Sequence, residues 1–435
     1  MTNPKKVNII TLGCAKNTVD SENLAGHLSK SGHTVVFDSN DKDIDAVIIN
    51  TCGFIGDAKE ESVDTILQYV EVNRHKRKKL EIIVCGCLAE RYRNELKDEI
   101  PEIKHFFGVF EWDKVLDVLS SPVHNKFDDE RIQSTPKHYA YLKIAEGCDR
   151  SCSYCAIPLI RGKHISRPIE DIVSEAKQLV EKGVKELIVI SQDTTYYGVD
   201  LSGKRMLGTL LERLASESGA EWIRLHYTYP TGFPEDVIDI IKKYDNICKY
   251  IDIPLQHINT DILQSMRRGI DKEETLSLVQ KFREIIPDVA IRTTLITGYP
   301  GETESAYEEL KTFVKESRFD RLGIFTYSPE EQTPAFPLGD PIPEEVKVER
   351  MEELMEIQQQ ISGEINEAKV GQTFKTIIDR KEGDFWIGRT EFDSPEIDNE
   401  IILSEKDLIA GNFYSVEIIR AEEFDLYGKV IKQLK

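Results

Sequence analysis

Between residues 139 and 327, short apolar runs alternate six times with helix-compatible segments, and this alternation constrains the fold of the 435-residue chain most strongly. Apolar runs of this length, separated by amphipathic segments, are typical of strands in a parallel sheet. The predicted strands are Tyr141–Ala145, Glu186–Ser191, Trp222–His226, Tyr250–Pro254, Ala290–Ile296 and Arg321–Tyr327. Six such units predict a partial (βα)6 barrel, with functional side chains at the carboxyl ends of its strands.

The sequence on either side predicts two further folded regions. Residues 1–120 also alternate strand and helix, with apolar runs at Val7–Leu12, Ala46–Ile49 and Ile82–Cys85, so they predict a parallel α/β sheet. Near the other end, five short β-type runs between Phe374 and Ile431 predict a small antiparallel β-barrel.

The predicted fold class is therefore a multidomain α/β protein. The N-terminal α/β domain is placed at residues 1–122 and a polar linker at 123–137. The partial barrel and a long charged connecting helix are placed at 138–368, and the small β-barrel at 369–435.

Three closely spaced cysteines follow the first strand of the predicted partial barrel: Cys148, Cys152 and Cys155, in G-C-D-R-S-C-S-Y-C. A four-iron cluster normally takes four thiolates, so three would leave one iron free to bind a non-protein ligand. A structural zinc site would need a fourth ligand, and no second C-x-x-C pair stands nearby. A disulfide scaffold is typical of small secreted domains, which this chain does not resemble.

The spacing C-x-x-x-C-x-x-C, with Tyr154 before the last cysteine, resembles the signature of the radical S-adenosylmethionine enzymes. In that family the open iron of a [4Fe-4S] cluster chelates the amino and carboxylate groups of S-adenosyl-L-methionine. The resemblance implies that these cysteines hold such a cluster and that they are the catalytic ligands.

Three other cysteines stand at or just beyond the ends of the apolar runs in the N-terminal region: Cys14, Cys52 and Cys87. Ligands of open parallel sheets sit outside the carboxyl ends of the strands, so these cysteines can converge on a second three-thiolate site. The alternative is that they are ordinary buried cysteines, as we expect for Cys85 and Cys248.

Further polar groups follow later strands of the predicted partial barrel. Gln192 and Asp193 come after the second strand, and the turn T-G-Y-P-G-E-T from Thr297 to Thr303 comes after the fifth. Its glycines, Gly298 among them, would allow close approach of a ligand, and Glu302 or Thr303 could cap the next helix. Each of these side chains could equally be a satisfied structural group.

The composition predicts a cytoplasmic protein. No apolar stretch approaches the length of about 20 residues that spans a bilayer, and the polar start of the chain predicts no signal peptide. The formal net charge of −21 argues against a direct nucleic-acid substrate and suits a basic partner.

The order of these features resembles the methylthiotransferases over essentially the whole chain, and the terminal barrel then corresponds to the domain called TRAM. The segments N-T-C-G-F-I-G-D-A-K-E-E-S and G-C-D-R-S-C-S-Y-C-A-I-P-L-I-R-G resemble the RimO branch. That branch modifies an aspartate of the small-subunit ribosomal protein numbered twelve. The branch acting on tRNA more often carries Q-M-N after its first cysteine, where this chain has A-K-N.

The resemblance implies two [4Fe-4S] clusters with divided roles. The cluster on Cys148, Cys152 and Cys155 would deliver an electron to S-adenosylmethionine, and the resulting radical would take hydrogen from the β-carbon of the aspartate. The cluster on Cys14, Cys52 and Cys87 would present the sulfur, and a second S-adenosylmethionine the methyl group. By the same resemblance, Tyr154, Gln192, Asp193, Thr297, Gly298 and Glu302 would bind S-adenosylmethionine. Flavodoxin or ferredoxin would serve as electron donor.

Two other functions stay open from sequence: methylthiolation of a tRNA adenosine, and a non-catalytic iron–sulfur protein. Residues 370–435 contain nine Lys and Arg against fourteen Asp and Glu. An acidic terminal barrel would repel tRNA phosphates and attract a Lys- and Arg-rich ribosomal protein, which favours the protein substrate.

Overall fold

The computed structural model describes residues 4–120 and 131–434. Residues 123–130 of the predicted linker lie outside this part. The chain divides into two compact units. The first unit comprises the described residues up to Thr135, with Glu146–Arg150 and Ala156–His164, and the second contains all the others.

The first unit is built on a parallel sheet whose described strands run in the order β2-β1-β3-β4-β5. The strands are β1 (Lys6–Thr11), β2 (Thr34–Phe37), β3 (Ala46–Thr51), β4 (Glu81–Gly86) and β5 (His105–Phe106). The helices are α1 (Ala15–Lys30), α2 (Gly56–His75), α3 (Cys87–Glu99), α4 (Trp112–Val118) and the short α5 (Ile157–Arg161). Apolar residues are buried on both sheet faces, as the continuous runs around Ile9, Ile48 and Ile83 predict.

The second unit contains six strands in the predicted places, and the first three and the last three each pair in parallel as a three-stranded sheet. Together the two sheets make up the partial (βα)6 barrel. They are β6 (Tyr139–Lys143), β9 (Glu186–Ile190), β10 (Trp222–Leu225), β11 (Tyr250–Asp252), β12 (Ala290–Thr297) and β13 (Arg321–Thr326), and the short β7 (Ala145–Glu146) and β8 (Ile165–Ser166) follow β6 in the chain. The helices are α6 (Ile169–Glu181), α7 (Val199–Ser202), α8 (Leu207–Glu217), α9 (Glu235–Lys243), α10 (Thr260–Ser265), α11 (Lys272–Ile285), α12 (Glu304–Ser317) and α13 (Glu344–Glu367).

The alternation of side chains along these strands separates two environments. Leu142, Val189, Leu225, Ile251 and Leu295 belong to one apolar cluster that also includes residues of the surrounding helices. Within each strand, the residues that alternate with these apolar residues therefore face the interior of the partial barrel.

After α13 the chain forms the closed five-stranded barrel that the sequence predicts. Its described strands are β14 (Thr373–Glu382), β15 (Phe385–Thr390), β16 (Glu400–Leu403), β17 (Phe413–Ala421) and β18 (Asp425–Gln433). One detail differs from an entirely antiparallel barrel, because β16 and β18 pair in parallel. An odd number of strands cannot alternate direction around a closed ring, so at least one neighbouring pair must be parallel.

The loop between β15 and β16 joins this small barrel to the partial barrel through buried and partly buried polar contacts. Tyr139 Oη donates to Glu396 at 2.8 Å, and Tyr250 Oη donates to Asp398 at 2.7 Å. Arg321 pairs with Asp393. Two domains that the sequence separates at residue 369 are thus held as one unit.

Among the described residues, no helix combines the length and apolar character needed to cross a membrane.

Candidate functional site

The first unit brings Cys14, Cys52 and Cys87 to one edge of its sheet. Cys14 precedes α1 directly after β1, Cys52 follows β3, and Cys87 is the first residue of α3. In the strand order 2-1-3-4-5, the chain reverses direction across the sheet between β1 and β3, and ligands bind at that switch point. The sequence predicted the strand ends, and the strand order makes them neighbours.

The thiols of Cys14, Cys52 and Cys87 lie close enough to affect one another electrostatically. Burial raises the pKa of the Cys87 thiol to about 12, and the neighbouring Cys14 and Cys52 thiols raise it further. Burial likewise raises the pKa of Cys52, with a contribution from Cys14. Because ionisation of the buried Cys52 and Cys87 thiols is unfavourable without a ligand, this pair suits a metal cluster that binds them as thiolates.

The glycines beside these cysteines serve strand packing. A Cβ on Gly13 would lie 2.6 Å from Cys52 Cβ, and one on Gly53 would lie 2.7 Å from the backbone of Leu88. Gly13 has a φ of 92°, in the left-handed region. In the structure these glycines let neighbouring segments of the chain approach each other closely.

A buried arginine, which the sequence analysis missed, lies against this triad. Arg161, at the end of α5, donates to Cys87 Sγ at 3.6 Å and to Asn17 Oδ1 at 2.6 Å. The same guanidinium pairs with Asp20 and Glu146, each at 3.0 Å. The only sequence signal was its place in I-P-L-I-R-G, six residues after Cys155.

The second cysteine motif is divided between the two units. Cys148 belongs to the first unit, where its backbone N–H donates to Gly162 O at 3.1 Å. Cys152 and Cys155 belong to the second unit, and the backbone N–H of Cys155 donates to Cys152 O at 3.2 Å.

Ser153 fixes the part of the motif that lies in the second unit. Its hydroxyl donates to Ser265 O at 2.8 Å, and its backbone N–H donates to Met266 O at 3.0 Å, both at the end of α10. Its carbonyl accepts from the backbone N–H of Ala335 at 2.7 Å. Tyr154 packs on an adjacent apolar cluster.

A second buried arginine, also missed from sequence, contacts this motif. Arg268 donates to Cys152 Sγ at 3.3 Å and to Tyr154 Oη at 3.4 Å. Its guanidinium lies over the ring of Tyr229, 4.2 Å from the centroid. Arg267-Arg268-Gly269 carries no recognisable motif, so only the folded chain reveals this neighbour.

The predicted S-adenosylmethionine residues fall into two groups. Gln192 and Asp193 lie just beyond the end of β9, and the carboxylate of the buried Asp193 accepts from Thr195 Oγ1 at 2.6 Å. Thr297 lies at the end of β12, and its hydroxyl donates to Lys347 O at 3.1 Å. A Cβ on Gly298 would lie 2.0 Å from Lys347 Cγ, so this glycine makes room for α13.

Glu302 is held in a buried polar cluster of its own. Its carboxylate accepts from Arg350 Nη1 at 2.6 Å and from the backbone N–H of Gly298 at 3.0 Å, and His257 Nε2 lies 3.3 Å away. These contacts give Thr297, Gly298 and Glu302 a role in packing within the protein. The predicted contact of these three residues with S-adenosylmethionine stays a prediction.

Gln256, which follows β11, has features typical of a ligand-binding residue. Its backbone φ is 77°, rare for a residue other than glycine, and its buried Oε1 has no hydrogen-bond partner in the described part of the chain. It lies beyond the carboxyl end of β11, and ligands of such barrels bind at that end of the strands.

The donor sets fit iron–sulfur clusters better than single metal ions. Among the described residues, no group of three His, Cys, Asp or Glu side chains is arranged to hold one ion. A zinc ion would draw thiolates to about 2.3 Å from one centre, whereas a cubane binds each thiolate on a different iron. Thiol-only sets with a buried arginine donating to one sulfur suit an anionic cluster.

Comparison with known protein families gives three matches along the chain. The Radical SAM superfamily matches residues 142–314, Uncharacterized protein family UPF0004 matches residues 6–108, and the TRAM domain matches residues 370–431. A ribosomal protein uS12 methylthiotransferase RimO from Christiangramia forsetii is 54% identical over 426 residues, covering 98% of this chain and 94% of that protein. This chain belongs to that family.

A second uS12 methylthiotransferase, from Bacteroides thetaiotaomicron, is 52% identical and covers 99% of both chains. Among solved structures, the radical S-adenosylmethionine methyltransferase TsrM from Kitasatospora setae matches with a TM-score of 0.56. It is 14% identical, and the match covers 77% of each chain, so it supports the fold alone. Membership in the uS12 methylthiotransferase family makes the protein a radical S-adenosylmethionine enzyme.

Proposed function

We propose that the protein methylthiolates the β-carbon of an aspartate in ribosomal protein uS12, and that its six motif cysteines divide the work. The cofactors of this family are S-adenosyl-L-methionine and [4Fe-4S] clusters. When bound, they supply a carbon-centred radical and a sulfur atom for transfer, chemistry that no side chain of the protein offers.

The observation that carries the proposal is the convergence of Cys14, Cys52 and Cys87 at the switch point of the first sheet. A radical S-adenosylmethionine enzyme that only abstracts hydrogen needs a single cysteine triad. A second thiol-only set is what a sulfur-inserting enzyme requires. We therefore assign these cysteines to the cluster that provides sulfur.

Cys148, Cys152 and Cys155 are assigned to the cluster that binds S-adenosylmethionine. The hydrogen bonds of Ser153 and the packing of Tyr154 would hold this loop in a fixed orientation at the partial barrel. Gln192, Asp193 and Gln256, at the carboxyl ends of β9 and β11, would line the nucleoside side of the site.

The domain roles and partners follow from the same assignment. We place the sulfur-inserting domain at 1–122, the linker at 123–137, the radical core at 138–368 and the TRAM domain at 369–435. The acidic TRAM barrel would attract the basic uS12 substrate, free or on the ribosome, and oppose tRNA. A cytoplasmic location and a flavodoxin- or ferredoxin-type donor complete the proposal.

Anaerobic reconstitution with iron and sulfide tests this function. The protein should bind about eight irons if both clusters are cubanes. With S-adenosylmethionine and reductant it should then cleave the cofactor and modify uS12. A reconstituted enzyme that cleaves S-adenosylmethionine but modifies a tRNA adenosine instead would reverse the choice of substrate. A colourless protein that binds zinc instead of iron would contradict the proposed function.

A further inference from the structure

Among the described residues, the buried cation Arg268 has no carboxylate partner. It is 3% exposed, and its donors reach Cys152 Sγ, Tyr154 Oη and the carbonyl of Pro254. Its face lies over the ring of Tyr229. In the part of the chain that the structure describes, none of its contacts is with an Asp or Glu side chain.

Arg161, which contacts Cys87 of the other cysteine set, has different charged partners. Its guanidinium pairs with the carboxylates of Asp20 and Glu146, both at 3.0 Å, and its distance to Cys87 Sγ is longer, at 3.6 Å. The side-chain amide of Asn17 donates to the carbonyls of Leu12 and Thr51, which turns its oxygen towards Cys87 Sγ at 3.8 Å. The charge of Arg161 is thus already opposed by protein groups.

This contrast has an electrostatic consequence. Burying a lone charge is costly unless an opposite charge lies beside it, and the sulfur of Cys152 is the one group in contact with Arg268 that becomes anionic when it binds metal. Adding an electron to an iron–sulfur cluster makes it more negative. A fixed positive charge and an N–H donor at one of its sulfurs therefore stabilise the reduced form.

We propose that Arg268 is a positioning residue that acts through Cys152, serving as the charge partner of the cluster bound there and raising its reduction potential. The inference rests on the proposed function, since it assumes a cluster at Cys152. It assigns to this chain a specific group that makes one-electron reduction by a donor easier at the site where the radical is generated.

Three substitutions in the full-length, reconstituted protein separate charge from packing. Arg268→Met and Arg268→Gln remove the positive charge, whereas Arg268→Lys keeps it. Each protein is titrated anaerobically with dithionite and mediators, and the reduced cluster is followed by electron paramagnetic resonance. The same titration in a Cys14→Ala/Cys52→Ala/Cys87→Ala background assigns the signal to the Cys152 cluster.

We expect the neutral variants to be at least tenfold harder to reduce at a given potential, which lowers the midpoint by about 59 mV for a one-electron couple. Arg268→Lys should stay within about threefold of the unsubstituted protein, or about 28 mV. The signal of the other cluster should not move in any of the three variants.

Several results would overturn the inference. An unchanged midpoint in the neutral variants removes the role of Arg268, and an equal shift in Arg268→Lys assigns the effect to packing. If the neutral variants lose this cluster and Arg268→Lys retains it, the charge partnership is supported. If all three lose it, Arg268 is only a structural residue. Failure of the unsubstituted protein to bind iron would contradict the proposed function itself.

Discussion

Substitution of Gly13 by alanine tests whether the three cysteines of the first unit act as one site. Gly13 adopts a φ of 92°, and a Cβ there would lie 2.6 Å from Cys52 Cβ and 2.9 Å from Cys52 Sγ. Ordinary contacts between such atoms begin near 3.4 Å. The new methyl group must therefore displace Cys52 by several tenths of an ångström or more.

The expected cost has two parts. A left-handed conformation costs an alanine about 1–2 kcal/mol, and overpacking a closely packed site costs about 1–3 kcal/mol more. Gly32→Ala is the matched control, because Gly32 has a similar φ of 87° and nothing within 4 Å of the added Cβ. The control should show only the first part of the cost.

Two measurements on Gly13→Ala and Gly32→Ala test this expectation. Urea unfolding of the metal-free chain should place Gly13→Ala about 1–3 kcal/mol below Gly32→Ala. After anaerobic reconstitution, Gly13→Ala should bind about four irons where Gly32→Ala binds about eight, and both should cleave S-adenosylmethionine. If Gly13→Ala bound the full iron content and methylthiolated uS12 at the control rate, the packed geometry around Cys52 would be refuted.

Three further predictions address other parts of the site. Cys148→Ala should abolish cleavage of S-adenosylmethionine, whereas Cys87→Ala should retain cleavage and lose methylthiolation; loss of cleavage in both, with intact folding, would contradict the division of roles. Glu302→Gln should destabilise the metal-free protein by about 1–3 kcal/mol, because it leaves the buried Arg350 with only the exposed Glu304 as a carboxylate partner; unchanged stability with weaker cofactor binding would make Glu302 a ligand contact. Burial holds the pKa of His226 at about 3, below the ordinary 6.5, so the unfolded chain takes up this proton first as the pH falls. Unfolding free energy should therefore decline between pH 6.5 and about 3, with a shallower slope in His226→Gln, and equal slopes would exclude this contribution.

Much of the architecture could be predicted because hydrophobic periodicity reports burial directly. The six strands of the partial barrel and the five of the small barrel lie within a few residues of their predicted positions. The short strands β2 and β5 were not predicted. β2 is half-exposed at one edge of its sheet, and β5 has only two residues at the other, so neither carries a long apolar run.

The residues of the candidate site likewise divide into those that a sequence pattern predicts and those that it does not. The fixed spacing of the cysteines in the second motif is enough to predict an iron–sulfur cluster. The positions of Cys14, Cys52 and Cys87 at strand ends of a parallel sheet predict that they lie at one edge of that sheet. Arg161 and Arg268 could not be predicted, because a residue that contacts a cysteine 74 or 116 positions away leaves no local pattern. Gly298 was predicted to allow close approach of a ligand; the structure shows that it also packs against the side chain of Lys347, and its contact with a ligand stays a prediction.

The most direct test of the account is the intact mass of uS12 after anaerobic turnover with the reconstituted protein, S-adenosylmethionine and a reductant. The account predicts that one methylthio group replaces one hydrogen, located on an aspartate by fragmentation. The modification should be absent when either Cys148 or Cys87 is replaced by alanine. Unmodified uS12, free and in intact small subunits, from an enzyme that cleaves S-adenosylmethionine would contradict the central claim.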